Sequence, residues 1–239
     1  MMDDNKSESK GKKKHHFSHL IISVITFFIF SIGFIPIVAF FYFIKQYFFF
    51  DSYWFYLFLA FLISISIFIL LLSQMFISGF FIKLFNLYYK TGTYAYEPNE
   101  KNALKWMIIV SLYTPIRKIL EIIPMGDLKN SYLRLLGMKI GENTLVGCVI
   151  KDPCVTRIGN NTTIGEYAII YGHIHNFEKR TIIIDSVTIG NNCIIGAGAI
   201  IMPGAVIEDN VKVAAGAIVT KKQKLESGNT YIGIPAKKH

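Results

Sequence analysis

The apolar residues of this 239-residue chain follow two patterns with different periods. Residues Leu20 to Ile44 form an uncharged apolar run long enough to cross a bilayer as a helix. A second uncharged run, Tyr53 to Ile82, is longer, which permits tilt or extension past the interface. Tyr53, Trp54, Tyr56, Tyr88 and Tyr89 flank it, as aromatics do at a membrane–water boundary. From Ile140 the pattern changes to a period of six. Hexads start at Ile140, Val146, Asp152, Ile158, Ile164 and Ile170, and resume at Ile183, Ile189, Ile195, Ile201, Ile207, Val213 and Val219.

Each hexad reads as one short strand and a turn. The aliphatic lead residue points inward, a small or β-branched residue four places on lets the next wall approach, and Gly or Asn takes the corner. Three hexads make one triangular coil, and stacked coils bury an aliphatic column that no single repeat buries alone. Ordinary strands alternate with a period of two and have no six-residue glycine spacing. Asp152, beside Pro153, breaks the pattern of lead residues, so an irregular coil is predicted there.

The segment between the two patterns is mixed. Ala103 to Pro124 combines Leu104, Trp106, Met107, Ile108 and Ile109 with Lys105, Arg117 and Lys118, and Pro115 interrupts it. It predicts either a helix lying on a membrane surface or a cap packed on the repeat domain. The chain therefore divides into a tail (1–18), a two-span helical hairpin (19–90), interfacial or linker helices (91–135) and a repeat domain (136–239).

Charge refines this organisation. The formal net charge is +9, with lysines concentrated at the N-terminus (Lys10, Lys12, Lys13, Lys14), in the Arg117–Lys139 segment and near the C-terminus. No aromatic–basic interleaving of the kind that stacks bases appears, so a membrane surface and a polyanionic cofactor are the expected partners and nucleic acid is not. The Lys excess on both flanks of the hairpin, including Lys83 and Lys90, predicts that both chain ends face the cytoplasm at the cell membrane. A cleavable signal peptide is the alternative for the first run, but its apolar stretch is too long and no small-residue cleavage site precedes a soluble region. Cys148, Cys154 and Cys193 form no CxxC pair and no metal spacing, which fits a reduced compartment.

The stretches IGENTL, IGNNTT, IGEYAI, IGNNCIIGAGAIIMPGAVIEDNVKVAAGAIVTK and GIPAKK resemble the hexapeptide-repeat acyltransferase superfamily. Within it they are most similar to the galactoside/maltose and xenobiotic O-acetyltransferase branch. The resemblance covers roughly residues 135–238 and none of the hairpin. It implies an all-β left-handed parallel β-helix, an exception to right-handed crossovers, assembled as a homotrimer with active sites between subunits.

The register slips by one residue between Ile170 and Ile183, and the looped-out stretch GHIHNFEKR, Gly172 to Arg180, carries the repeat region's two histidines. Regular coils already satisfy packing, so a break is where function is expected. Enzymes of the family carry their catalytic His in the sixth place of a hexad. That place, counted from Ile170, is His175, with His173 in a supporting role; Phe177, Glu178 and Arg180 are similar to an HxFExR pattern in distant members. Moving an acyl group from a thioester to a hydroxyl or amine requires removal of the acceptor's proton, which an imidazole can take near neutral pH. Glu178 is the candidate to orient that imidazole.

The resemblance also implies a coenzyme A groove. By motif position Ala197 and Ala215 match its contact sites, Thr220 and Lys221 the nucleotide end, and Lys237 with Lys238 the basic tail, where a Lys meets phosphate as a point charge. The expected activity is acyl-CoA-dependent, acetyl-CoA being the expected donor, with no metal. The expected acceptor is held at the membrane, such as a lipid-linked sugar or envelope glycan precursor. Two alternatives stand beside it: a γ-carbonic-anhydrase-like metal enzyme, whose third His is missing from the repeat region, and a non-catalytic β-helix scaffold.

Overall fold

A computed structural model describes residues 20–47, 53–123 and 125–239; the basic tail assigned to 1–18 lies outside them. Residues 20–32 (α1) and Ile35–Tyr47 (α2) form one apolar helix broken at residues 33–34. At the break the Phe34 N–H turns back to the Ser31 carbonyl (3.1 Å), which leaves the Phe30 carbonyl to the Gln74 amide of the neighbouring helix (2.8 Å). That helix, α3 (Tyr53–Leu84), runs unbroken. Leu20–Tyr47 and Phe58–Leu84 are each long and apolar enough to cross a membrane. Their outer faces expose Phe27, Phe28, Val38, Phe61 and Phe76, while Ile22, Ile29, Leu71, Met75 and Ile82 pack inward.

The inward face meets α4 (Lys101–Ile122) and α5 (Gly126–Leu135). Thr26 and Ser111 hydroxyls share a hydrogen bond (2.8 Å), as do Ser78 and Tyr132 (3.0 Å). Pro115 lies within α4 without ending it. One side of α4 is buried through Ala103, Trp106, Ile109, Leu112, Tyr113, Ile116 and Leu120, so the helix packs between the hairpin and the repeat domain. The first coil of a parallel β-helix leaves a row of backbone acceptors open. Here Tyr113 Oη donates to the Ile150 carbonyl (2.9 Å), Lys129 Nζ to those of Val146 (3.0 Å) and Cys148 (2.9 Å), and Asn130 Nδ2 to that of Thr144 (3.2 Å). Burial holds the Lys129 pKa below its ordinary value.

The hexads wind into three parallel sheets. One stacks Ile140, Ile158, Ile189, Ile207 and Leu225 in register; the second stacks Val146, Ile164, Ile195, Val213 and Tyr231; the third stacks Ile150, Ile170, Ile201 and Val219. The small residues Thr144, Thr162, Ala168, Ala199, Ala205 and Ala217 are buried beside them, as the repeat predicts. One corner is taken by Asn143, Asn161, Asn192 and Asn210 with φ of 52°, 51°, 54° and 59°. Asn occupies this left-handed region more readily than other side chains because it bonds locally to the backbone.

Two lead positions differ from the sequence reading. In the first coil Ile150, not Asp152, joins the inward column, and the chain then turns through Pro153–Val155 before re-entering the sheet at Thr156. Ile183 is no coil lead either. It lies on an antiparallel hairpin of β2 (His173–Asn176) and β3 (Thr181–Ile184), where strand alternation buries Ile182 and Ile184 instead. The solenoid resumes at Val187–Ile189, paired with Thr156–Ile158.

Candidate functional site

At the His173–Ile184 hairpin the chain leaves the solenoid. It departs at Gly172 and returns at Asp185, whose N–H closes the base on the Gly172 carbonyl (2.8 Å). A strand from the linker segment, β1 (Gly92–Ala95), adds to β3 in antiparallel register, and the Tyr96 N–H bonds the Arg180 carbonyl (2.8 Å). His173 lies opposite Ile184 and His175 opposite Ile182. Alternation puts all four side chains on one face of the three-stranded sheet, the face turned toward α4.

On that face the two imidazoles sit 5.3 Å apart, ring centre to ring centre. The Trp106 indole lies edge-on to both, 4.8 Å from His173 and 5.4 Å from His175. Tyr96 packs edge-on against His175 (4.7 Å), and Phe177 stacks near it at 6.0 Å. His175 lines an open cleft of about 210 Å³ with Tyr96, Asn176, Phe177, Arg180 and Thr181. Burial first, and the neighbouring His173 second, lower the His175 pKa from 6.5, which favours the neutral imidazole. A neutral imidazole has a lone pair for a proton.

Behind the histidines lies Asp152, wholly buried. Its Oδ2 accepts the Gly172 N–H (2.8 Å) and is 2.7 Å from His173 Nδ1; its Oδ1 accepts the Trp106 indole N–H (2.9 Å) and the Tyr89 hydroxyl (3.2 Å). Gly172 is required at its position. A Cβ there would stand 2.7 Å from Asp152 Cβ and 2.6 Å from Val155 Cγ2, closer than real Cβ contacts come.

The structure thus brings His173 and His175 together, and it puts Asp152 rather than Glu178 beside an imidazole. Glu178 is exposed at the hairpin turn and, among the described residues, makes no hydrogen bond to either His. Tyr89, expected at a membrane boundary, is instead buried with its hydroxyl on Asp152. Asp152, Tyr89, Tyr96 and Trp106 escaped the sequence reading as site residues. The one available signal was a carboxylate in a hexad position that is otherwise aliphatic.

The coenzyme A candidates lie elsewhere on the solenoid surface. Ala197 and Ala215 are exposed at the same corner of successive coils, linked by the Gly216 N–H on the Ala197 carbonyl (2.9 Å). Thr220 and Lys221 are exposed, Thr220 bonding Gln223 through Oγ1 (3.0 Å). Lys237 and Lys238 are exposed on the last strand, paired antiparallel to Thr230–Ile232. Among the described residues no three His, Cys, Asp or Glu side chains form a metal-holding group.

Residues 179–221 match the family model described as bacterial transferase hexapeptide (six repeats). The chain is 34% identical over 106 residues to a putative acetyltransferase, YvoF, of Bacillus subtilis (strain 168), covering 41% of this chain and 59% of that protein. It is 31% identical over 112 residues to the mitochondrial gamma carbonic anhydrase 1 of Arabidopsis thaliana, covering 41% of each. A similar solved structure is a hexapeptide-repeat-containing acetyltransferase from Vibrio cholerae O1 biovar eltor complexed with acetyl coenzyme A. That likeness has 19% identity and a TM-score of 0.44, and covers 51% of this chain and 81% of that one. The chain spans about half or less of the length of the curated relatives it matches first.

Proposed function

We propose that the protein is an acyl-CoA-dependent acyltransferase, acetyl-CoA being the donor, in which His175 is the general base. The observation that carries this reading is an imidazole on the wall of an open cleft, beside a second imidazole held by a buried carboxylate. His175 takes the proton from the acceptor hydroxyl or amine as that atom attacks the thioester carbonyl. It then returns the proton to the leaving thiolate of coenzyme A. The expected coenzyme A contacts are Ala197, Ala215, Thr220, Lys221, Lys237 and Lys238, whose exposure leaves them free to meet a ligand.

The outer residues of the third sheet support self-association. Val149, Ile169, Ile200 and Ile218 alternate with its inward column, and all four are aliphatic. The other two sheets are mixed in the matching places, carrying Lys139, Arg157, Thr188, Val206 and Lys224, or Leu145, Thr163, Ile194, Lys212 and Thr230. An apolar sheet face of this kind calls for a cover, and the proposed cover is two further copies in a homotrimer. The exposed phenylalanines of α1–α3 support a hairpin in the cell membrane, the flanking Lys83 and Lys90 support a repeat domain on its cytoplasmic side, and an acceptor held at that membrane goes with this reading. Among the described residues of one copy, no third His, Cys, Asp or Glu joins the two imidazoles in a metal-holding group.

The test is to incubate membranes carrying the protein with isotopically labelled acetyl-CoA and follow the label into lipids and glycans by mass spectrometry. Label that enters an acceptor with the wild-type chain and not with His175→Ala supports the proposal. Equal labelling by both, or none by either across lipid, glycan and amine fractions, overturns it.

A further inference from the structure

We infer that Trp106 and Tyr89, from the segment preceding the β-helix, are positioning residues of the histidine site, acting through Asp152 to fix the tautomer of His173. The inference deepens the acyl-transfer reading and, for its catalytic part, rests on it.

The argument starts from a cost. A carboxylate wholly removed from water is stable only when its oxygens are richly bonded, and well-packed apolar side chains usually serve a fold as well or better. Asp152 is such a carboxylate, beside a column of inward residues that is aliphatic. Two of its partners can only donate, the Gly172 amide and the Trp106 indole N–H, and the Tyr89 hydroxyl donates to the same carboxylate. With Asp152 as acceptor throughout, the fourth contact, His173 Nδ1 at 2.7 Å, carries its hydrogen on Nδ1. The lone pair is then left on Nε2.

Trp106 links the two layers of the site. Its N–H holds Asp152 Oδ1, and its ring flanks His173 and His175 together. One side chain of α4 thus sets both the electrostatic partner of one imidazole and the packing of the other. Tyr89 holds the same oxygen from the end of the hairpin. The helical module therefore completes the site from behind, and the pair presents one imidazole with a fixed lone pair next to the one lining the cleft.

The experiment uses the full chain in detergent micelles with ring-¹⁵N histidine, comparing wild type with Trp106→Phe, Tyr89→Phe and Asp152→Asn, and using His173→Gln to identify the His173 signals. The wild type is expected to show a protonated Nδ1 and an unprotonated Nε2 on His173. Asp152→Asn and Trp106→Phe are expected to give mixed tautomers. Acetyl transfer by Trp106→Phe should fall by about 10- to 100-fold in kcat, the scale of outer-shell partners, with KM for acetyl-CoA unchanged. Should Trp106→Phe fail to fold, Tyr89→Phe removes only a hydroxyl from the same oxygen and gives the same reading. An unchanged His173 tautomer in Asp152→Asn and both aromatic variants overturns the inference. A shifted tautomer with undiminished transfer overturns its catalytic part. If His175→Ala also transfers normally while the tautomer shifts, the acyl-transfer reading fails and the positioning of His173 stands.

Discussion

His173 Nδ1 lies 2.7 Å from Asp152 Oδ2, and Asp152 is fully buried. The pair joins the hairpin outside the solenoid to the irregular first coil inside it, and its energetics follow from the other donors on the carboxylate. Asp152→Ala leaves the indole of Trp106, the hydroxyl of Tyr89 and the Gly172 amide buried without partners. Each orphaned donor costs about 1–3 kcal/mol. A loss of several kcal/mol is expected in denaturant titrations of the detergent-solubilised protein, with Asp152→Asn less affected because its amide oxygen still accepts.

His175→Gln is expected to lower acetyl transfer by roughly 10²–10⁴-fold, the usual contribution of a general base, while equilibrium binding of coenzyme A is retained. Isothermal titration against turnover separates the two.

The same residue gives a pH signature. Burial lowers the His175 pKa from 6.5, so the unfolded chain binds the proton more readily than the folded one. Stability from this group is therefore complete above the unfolded value near 6.5 and is lost as pH falls below it. The acid limb of the transfer rate should likewise have its midpoint below 6.5. Melting curves at pH 5 and pH 8 are expected to differ less for His175→Gln than for the wild type.

Gly172→Ala should destabilise the repeat domain at the base of the histidine hairpin. Its Cβ would press on Asp152 and Val155 at 2.7 and 2.6 Å, and overpacking costs about 1–3 kcal/mol. Loss of the Gly172 N–H contact with Asp152 should appear as lost transfer in protein that remains folded by circular dichroism.

Ile200→Glu puts a charge in the centre of the aliphatic outer column, and Arg157→Glu does the same on a sheet that already carries charge. Sedimentation in detergent should report dissociation for the first and an unchanged assembly for the second.

How much of this was legible in the chain depends on distance along it. The solenoid was readable because its lead residues repeat every six positions and each coil contacts only its neighbours. Ile183 misled because it falls on the period by coincidence, whereas the antiparallel pairing of His173–Asn176 with Thr181–Ile184 is set by alternation. The histidines were found because the register breaks around them. Asp152 was visible only as an irregularity, since its partners Trp106 and Tyr89 come from 46 and 63 positions earlier and no local pattern connects them. Pro115 was read as an interruption, yet α4 runs through it from Lys101 to Ile122.

The capping of the first coil has a consequence of its own. Tyr113, Lys129 and Asn130 occupy backbone acceptors that would otherwise invite another strand. A solenoid with an open end is a template for its own kind, since the ladder that joins one coil to the next can equally join one molecule to another. A chain cut just before the hexads would keep every inward isoleucine and lose its stopper. Its characteristic failure would be end-to-end growth into filaments, with α4 and α5 acting as the terminator of a polymer.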